Sequence, residues 1–344
     1  MPVTTPRRAP FTRRVMLAAI AILVGVIGIV IGRLRDVDTT VATPAPSTTT
    51  ASTAELSYSR LSNPGRTLVR DTTGAVVATL TDGARTANLA GPQRTFTDPG
   101  FTTATVTSHT WVRLLPREWA LGAELQPWFH PWLDQQLPNR APDVLAVATE
   151  YLHDQPDIQD ANNVRYRGDA GFGPAGETAN SREENSDFYD YLGMPWSFPG
   201  GRHELPDPVR YGDVDCTGFL RLVYGYRIGY PLLGTNTAGP GLPRRAFAMA
   251  EHGPGVIIVP DQNRPVDNYA PLQPGDLVFF NIDSGIDRKV DHSGIYLGLD
   301  DSGYHRFISS RATANGPTLG DLGGTSLLDD GGFYSTAFRT AKRL

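Results

Sequence analysis

One apolar-striped helix followed by a run of short strands constrains this chain more than any other feature. From Asp215 to Arg227, Phe219, Leu220, Val223 and Tyr226 recur at helical spacing, and Asp215 is placed to cap the N-terminus. Downstream, the apolar runs 277–280, 294–298 and 306–310 are separated by Gly, Asp and Ser, the punctuation of successive strands. A last strand is expected within Phe333 to Lys342. A helix packed on an antiparallel sheet is an α+β plan. With 40% hydrophobic residues in 344, the chain can bury an ordinary core as one large or two modest domains.

The preceding residues divide into three stretches. Val15 to Gly32 carries no charge, and as a helix it would be about 27 Å long, close to the ~30 Å apolar thickness of a bilayer. Arg7, Arg8, Arg13 and Arg14 lie before it, whereas Arg33 and Arg35 are partly offset by Asp36 and Asp38. That asymmetry predicts an uncleaved, single-pass anchor over 1–35, with the N-terminus inside and the body outside the cell. A cleaved signal peptide and a secreted product is the alternative. Residues 36–57, rich in Thr, Ser, Ala and Pro, read as a flexible stalk. Residues 58–139 form a small β-rich region, with a hairpin turning at Gly74 and short strands around 103–106 and 111–115. A catalytic-sized region, 140–344, begins with a helix from Pro142 to Leu152 led by Asp143. The polar, Gly-rich stretch 154–187 reads as a loop forming a lid or a groove wall, and a short helix is expected over 183–192.

A net charge of −5 without a basic stripe argues against nucleic acid as a partner. His109, His130, His153, His203 and His252 have no suggestive spacing and no Cys companions, so no metal site is expected, and no cofactor is expected either. The single cysteine, Cys216, is the informative one. In an exported chain a structural thiol finds a disulfide partner, and this one has none within the chain. Its place at a helix N-terminus suits an activated sulfur, because orphan amides there favour an anion. His292, at the head of an apolar strand, is the candidate base, and a third group should orient its ring. Ser309, His305 and Ser310, on the following strand, are the candidates for that role.

Three stretches together resemble the NlpC family of cell-wall cysteine peptidases, which have a papain-like fold. Asp215-Cys216-Thr217-Gly218-Phe219-Leu220 is similar to the family's Asp-Cys-Ser-Gly-Phe/Leu-Val nucleophile motif, with Thr in place of Ser. Pro274 to Phe280 matches its Pro-Gly-Asp-Leu-Val-Phe-Phe strand, and His292 to Gly298 its His-Val-Gly-Ile-Tyr-Leu-Gly strand, with Ser293 in place of Val. Residues 192–201 resemble Gly-x-Pro-Tyr-x-Trp-Gly-Gly, which puts Trp196 at a family Tyr that lines the site. Leu242-Pro243-Arg244 echoes a further short element. The stretch from Cys216 to His292 is longer than the family's, with 251–271 as an insertion. The family's third residue, commonly His, aligns with Ser309.

The resemblance implies a substrate, the stem peptide of peptidoglycan, cut at bonds such as γ-D-glutamyl to diaminopimelate. It implies a thioester on Cys216, His292 as base, the Cys216 amide at the oxyanion, and Trp196, Asp215, Thr217 and Ser293 as residues near bound substrate. Two other functions fit the same residues: a non-catalytic wall-binding protein of this fold, and an acyltransferase or transpeptidase using the same thiol.

Overall fold

The computed structural model describes residues 55–178, 181–283 and 290–344. The expected anchor at Val15 to Gly32, and all of the stalk except its last residues, lie outside them. Among the described residues no helix is long and apolar enough to cross a membrane. The described residues form one compact unit.

Five strands open that unit as an antiparallel meander in chain order: β1 (Ser57–Leu61), β2 (Arg66–Arg70), β3 (Val76–Thr81), β4 (Thr86–Phe96) and β5 (Val106–Leu114). The β2–β3 connection turns at Gly74, whose φ of 84° is open to glycine without steric cost. The two short strands expected around 103–115 are one continuous strand, β5. Its partner β4 absorbs a bulge between Ala90 and Arg94, which lets one long pair replace two short ones. A helix with no clear sequence signal, α1 (Phe129–Gln136), brings Phe129 and Leu133 against Val69, Leu80, Leu89 and Trp119, closing a small core.

Next comes α2 (Val144–Thr149), shorter than expected but capped by Asp143 as expected: its carboxylate accepts from the Ala146 amide at 3.1 Å. The same carboxylate accepts from the Val112 amide and pairs with Arg94, both at 2.6 Å, joining the helix to the meander. The polar stretch that follows holds a small hairpin, β6 (Ile158–Gln159) with β7 (Arg165–Arg167), and ends at α3 (Phe188–Leu192). Asp187 and Asp190 close a capping box there, so α3 starts five residues later than the sequence suggested. A second small hairpin pairs β8 (Trp196–Ser197) with β9 (His203–Glu204). The helix bearing the thiol, α4 (Cys216–Leu220), continues in wider π geometry through Arg221–Arg227. α5 (Ala246–Glu251) follows.

The second sheet contains β10 (Val256–Val259), β11 (Leu277–Phe280), β12 (His292–Leu299), β13 (His305–Arg311), β14 (Gly316–Thr318) and β15 (Phe338–Arg343), in the order β10-β15-β11-β12-β13-β14. The insertion supplies the edge strand β10. The expected strand over 333–342 is only half strand: α6 (Phe333–Ala337) occupies its first half. Tyr334 and Ala337, three apart, bury one helical face, and the Thr336 hydroxyl donates back to Gly332 O at 2.9 Å.

Side chains alternate across this sheet. Leu277, Phe279, Ile295, Leu297 and Ile308 join Phe219 and Leu220 of α4, and Val223 of its π-helical continuation, in the main core. Val278, Phe280, Tyr296 and Phe307 face the other way, onto Tyr334 and Phe338. Gly294 permits the β12–β13 approach, since a Cβ there would lie 2.7 Å from Ile308 O. Arg343 ties the sheet to the meander. It makes a two-pronged pair with Asp276 at 2.7 Å and donates to Thr81 Oγ1 at 2.8 Å.

Candidate active site

Cys216 is the first residue of α4, and three segments hold it there. Asp215 caps the helix, accepting from the Gly218 amide at 2.7 Å and the Asn185 amide at 3.1 Å. The backbone of 185–187 crosses this turn: Ser186 O accepts from the Asp215 amide at 2.9 Å. Gly218 is glycine for that reason, because a Cβ would lie 2.3 Å from Ser186 O. From the sheet, the Ser310 hydroxyl donates to Val214 O at 2.6 Å. The Asp215 side chain takes the third amide of the helix, so the Cys216 and Thr217 amides precede the first helical hydrogen bond, from Phe219 N to Asp215 O.

Buried charges surround the turn. Arg244 donates to both Asp215 oxygens, at 3.1 and 2.6 Å, and to Thr217 Oγ1 at 2.6 Å, and it lies 3.4 Å from Asp187. Arg221 pairs with Asp187 at 2.9 Å and donates to the carbonyls of Leu233, Leu242 and Pro243. Burial raises the Asp215 carboxyl, but Arg244 and the Gly218 amide outweigh it and hold the group below its ordinary value.

Cys216 and His292 are each only 4% exposed. The Cys216 sulfur lies 3.9 Å from Asp291 O, at the head of β12. The His292 ring packs on Phe280 and Tyr334, at centroid distances of 5.8 and 5.5 Å. Tyr334 also lies within electrostatic reach of the Cys216 sulfur. No hydrogen bond joins the thiol to the imidazole, and His292 Nε2 is buried with no hydrogen-bond partner among the described residues. Strand alternation turns Ser293 toward the α4 face and His292 toward Tyr334. Burial, with the negative charges of Asp215 and Glu184, raises the Cys216 thiol, against the lowering effect of Ser293 and Arg244. Burial and the Arg311 guanidinium push His292 down to about 3. At neutral pH the resting site therefore holds a neutral thiol and a neutral imidazole. The helix-tip advantage read from sequence is outweighed by desolvation and by the capping carboxylate itself.

That depressed imidazole has a measurable consequence. Between its ordinary 6.5 and about 3, the unfolded chain binds a proton at His292 that the folded chain refuses. Folding stability should fall as pH drops through this window. His292→Gln is expected to shallow that fall in urea titrations, and identical pH slopes for the two proteins would refute the assignment.

The three candidate orienters are all engaged elsewhere. Ser309 lies on the His292 face, with Ile308 in the core, but its hydroxyl accepts from Arg311 Nε at 3.0 Å. Ser310 is spent on Val214 O. His305 sits at the other end of the strand pair, where Nδ1 lies 2.6 Å from the Tyr296 hydroxyl. Trp196 packs edge-on against Phe188 and Tyr226, at 4.9 and 6.0 Å, beside the later turns of the thiol helix. Thr217 lies within the Asp215–Arg244 network, donating to Asp215 Oδ1 at 3.1 Å.

Sequence reading missed much of this shell. Arg244 stood in a quoted element without a role, and Asp187, Arg221, Arg311 and Tyr334 carried no signal, because each acts through contacts remote in sequence. Arg311 is buried against neutral oxygens, Ser309 Oγ and Gly324 O among them, and stacks 4.3 Å over Tyr334. The stretch 154–187 divides in two: Asp157, Arg165 and Asp169 wall a groove of about 490 Å³ that also reaches Asp213, while 185–187 braces the helix tip. No curated protein matches the chain. Residues 193–316, which include Cys216, His292 and the strands β11 to β13, match the model of the NlpC/P60 family, and the chain thus carries an NlpC/P60 domain.

Proposed function

We propose that this protein is a cysteine peptidase that hydrolyses amide bonds in peptidoglycan stem peptides, with Cys216 as nucleophile and His292 as base. At the level of the family, an NlpC/P60 domain is that of a peptidoglycan-hydrolysing cysteine peptidase. The observation that carries the reading to these residues is the placement of the chain's single thiol at the first position of α4, against the head of the strand that begins with His292.

Because both groups rest neutral, the thiol proton passes to the imidazole as the sulfur attacks the carbonyl, rather than in advance. The carbonyl oxygen takes the negative charge near the Cys216 amide. The imidazolium then protonates the departing amine, leaving a thioester that water, deprotonated by the same imidazole, opens to a carboxylate. Bonds of the γ-D-glutamyl to diaminopimelate kind are the proposed targets. The uncharged run Val15 to Gly32 and its flanking arginines support a companion proposal, an anchored enzyme working outside the cell.

A specific observation favours a second reading. With the thiol raised and, among the described residues, neither a partner for His292 Nε2 nor a hydrogen bond that orients the ring, the resting site also fits a non-catalytic wall binder. Mass spectrometry of the soluble fraction from purified wall separates the readings. Fragments with a new amine and a new carboxyl support hydrolysis, and fragments joined to an added amine acceptor support transfer. Retention on insoluble wall with no fragments would overturn the catalytic proposal.

A further inference from the structure

The most unusual atom near the sulfur belongs to Ser293. Its side chain is fully buried, and its hydroxyl completes no hydrogen bond of good geometry among the described residues, although it lies near enough to the Cys216 sulfur to hold that thiol down. A buried, unsatisfied hydroxyl costs on the order of 1–3 kcal/mol. Valine, the residue at this place in the strand motif the chain resembles, would fill the same space without that cost. Alternation along β12 turns Ser293 to the face that receives α4, and the Cys216 sulfur approaches the same strand one peptide earlier, at Asp291 O. The hydroxyl thus stands beside the thiol without completing a bond to it.

We propose that Ser293 is a thiolate-stabilising residue: its hydroxyl donates to the Cys216 sulfur once the proton has left for His292, in place of the orienting contact that Ser309 does not make. This rests on the catalytic reading of Cys216. The balance is simple. One proton moves from sulfur to imidazole, the serine proton stays on its own oxygen, and the hydrogen bond forms to the anion alone. A thiolate is a far better acceptor than a thiol, so an incomplete contact at rest becomes a charge-assisted bond in the reacting state. The charged and titratable groups that act on the sulfur are Asp215 and Glu184, which oppose the anion, and Arg244, which favours it, with Tyr334 within electrostatic reach. Ser293 already acts in the favourable direction.

The test uses the full chain, whose only cysteine makes alkylation unambiguous. Iodoacetamide rates are measured from pH 6 to 11 for the parent, Ser293→Val, Ser293→Ala and Ser293→Thr. The Val and Ala variants are expected to alkylate about tenfold more slowly than the parent at each pH in this range, the effect of one hydrogen bond to a charged group. The Thr variant, which keeps the hydroxyl, should restore the parent profile. Ser293→Val should also unfold at a higher temperature, since it removes the unsatisfied group. On wall substrate, kcat should fall by the same factor with KM unchanged. Superimposable alkylation profiles for parent, Val and Ala would overturn the proposal, as would a loss confined to KM. If the parent releases no wall fragments but the profiles still shift, the catalytic reading fails while the role of Ser293 at the sulfur stands.

Discussion

Cys216→Ala is expected to reduce release of stem-peptide fragments from purified wall to the level of a protein-free control, a loss on the order of 10³-fold or more. The reason is chemical rather than structural. The sulfur is the one group in the site able to form a covalent acyl intermediate, and the remaining amides and binding contacts can stabilise only what that attack creates. The fold should survive. The side chain is small, and the turn that holds it is built from Asp215, Gly218, Ser186 and Ser310, none of which bonds to the sulfur. Unfolding midpoints of parent and variant should differ by only a few degrees. Fragment release by the alanine variant at the parent rate would end the catalytic reading.

The largest expected stability effect comes from Asp187→Ala. Asp187 serves three partners: it caps α3, pairs with the fully buried Arg221 at 2.9 Å, and lies 3.4 Å from Arg244. Removing it leaves the Arg221 charge in the interior without a counter-ion, a loss of about 3–5 kcal/mol. For a unit of this size the unfolding midpoint should fall by about 10 °C. Arg244 would also lose a neighbour that helps to hold it on Asp215, so the thiol turn should loosen and alkylation at pH 7 should accelerate. The charge-removing but cap-preserving Asp187→Asn should sit between the two. If Asp187→Ala melts with the parent, the paired charges do not brace the site.

What was legible before any coordinates was local. An Asp cap before a helical stripe, apolar runs of strand length and a glycine in a hairpin state their structure within a few residues, because capping, periodicity and turn geometry are short-range. Cys216 at the start of α4, Asp143 before α2 and the strands β11 to β13 were read in this way. Where local signals conflicted, long-range packing decided: α6 replaces half of an expected strand because Tyr334 buries against Phe280 and Phe307, residues more than twenty positions away.

The state of the site was not local in the same sense. A thiol at a helix tip looks activated in a sequence, yet the protonation of Cys216 and His292 depends on how completely each is desolvated and on which charges stand near them. Those charges, Arg311, Arg244, Glu184 and Asp215, arrive from four different segments. The chain's letters thus named the reacting groups and the elements that bear them. Folding alone settled that both groups are buried, that Ser309 serves Arg311, and that Ser293 is buried in the sheet with its hydroxyl completing no hydrogen bond of good geometry among the described residues. Solvent exclusion and electrostatics act through space, and no spacing along a chain encodes them.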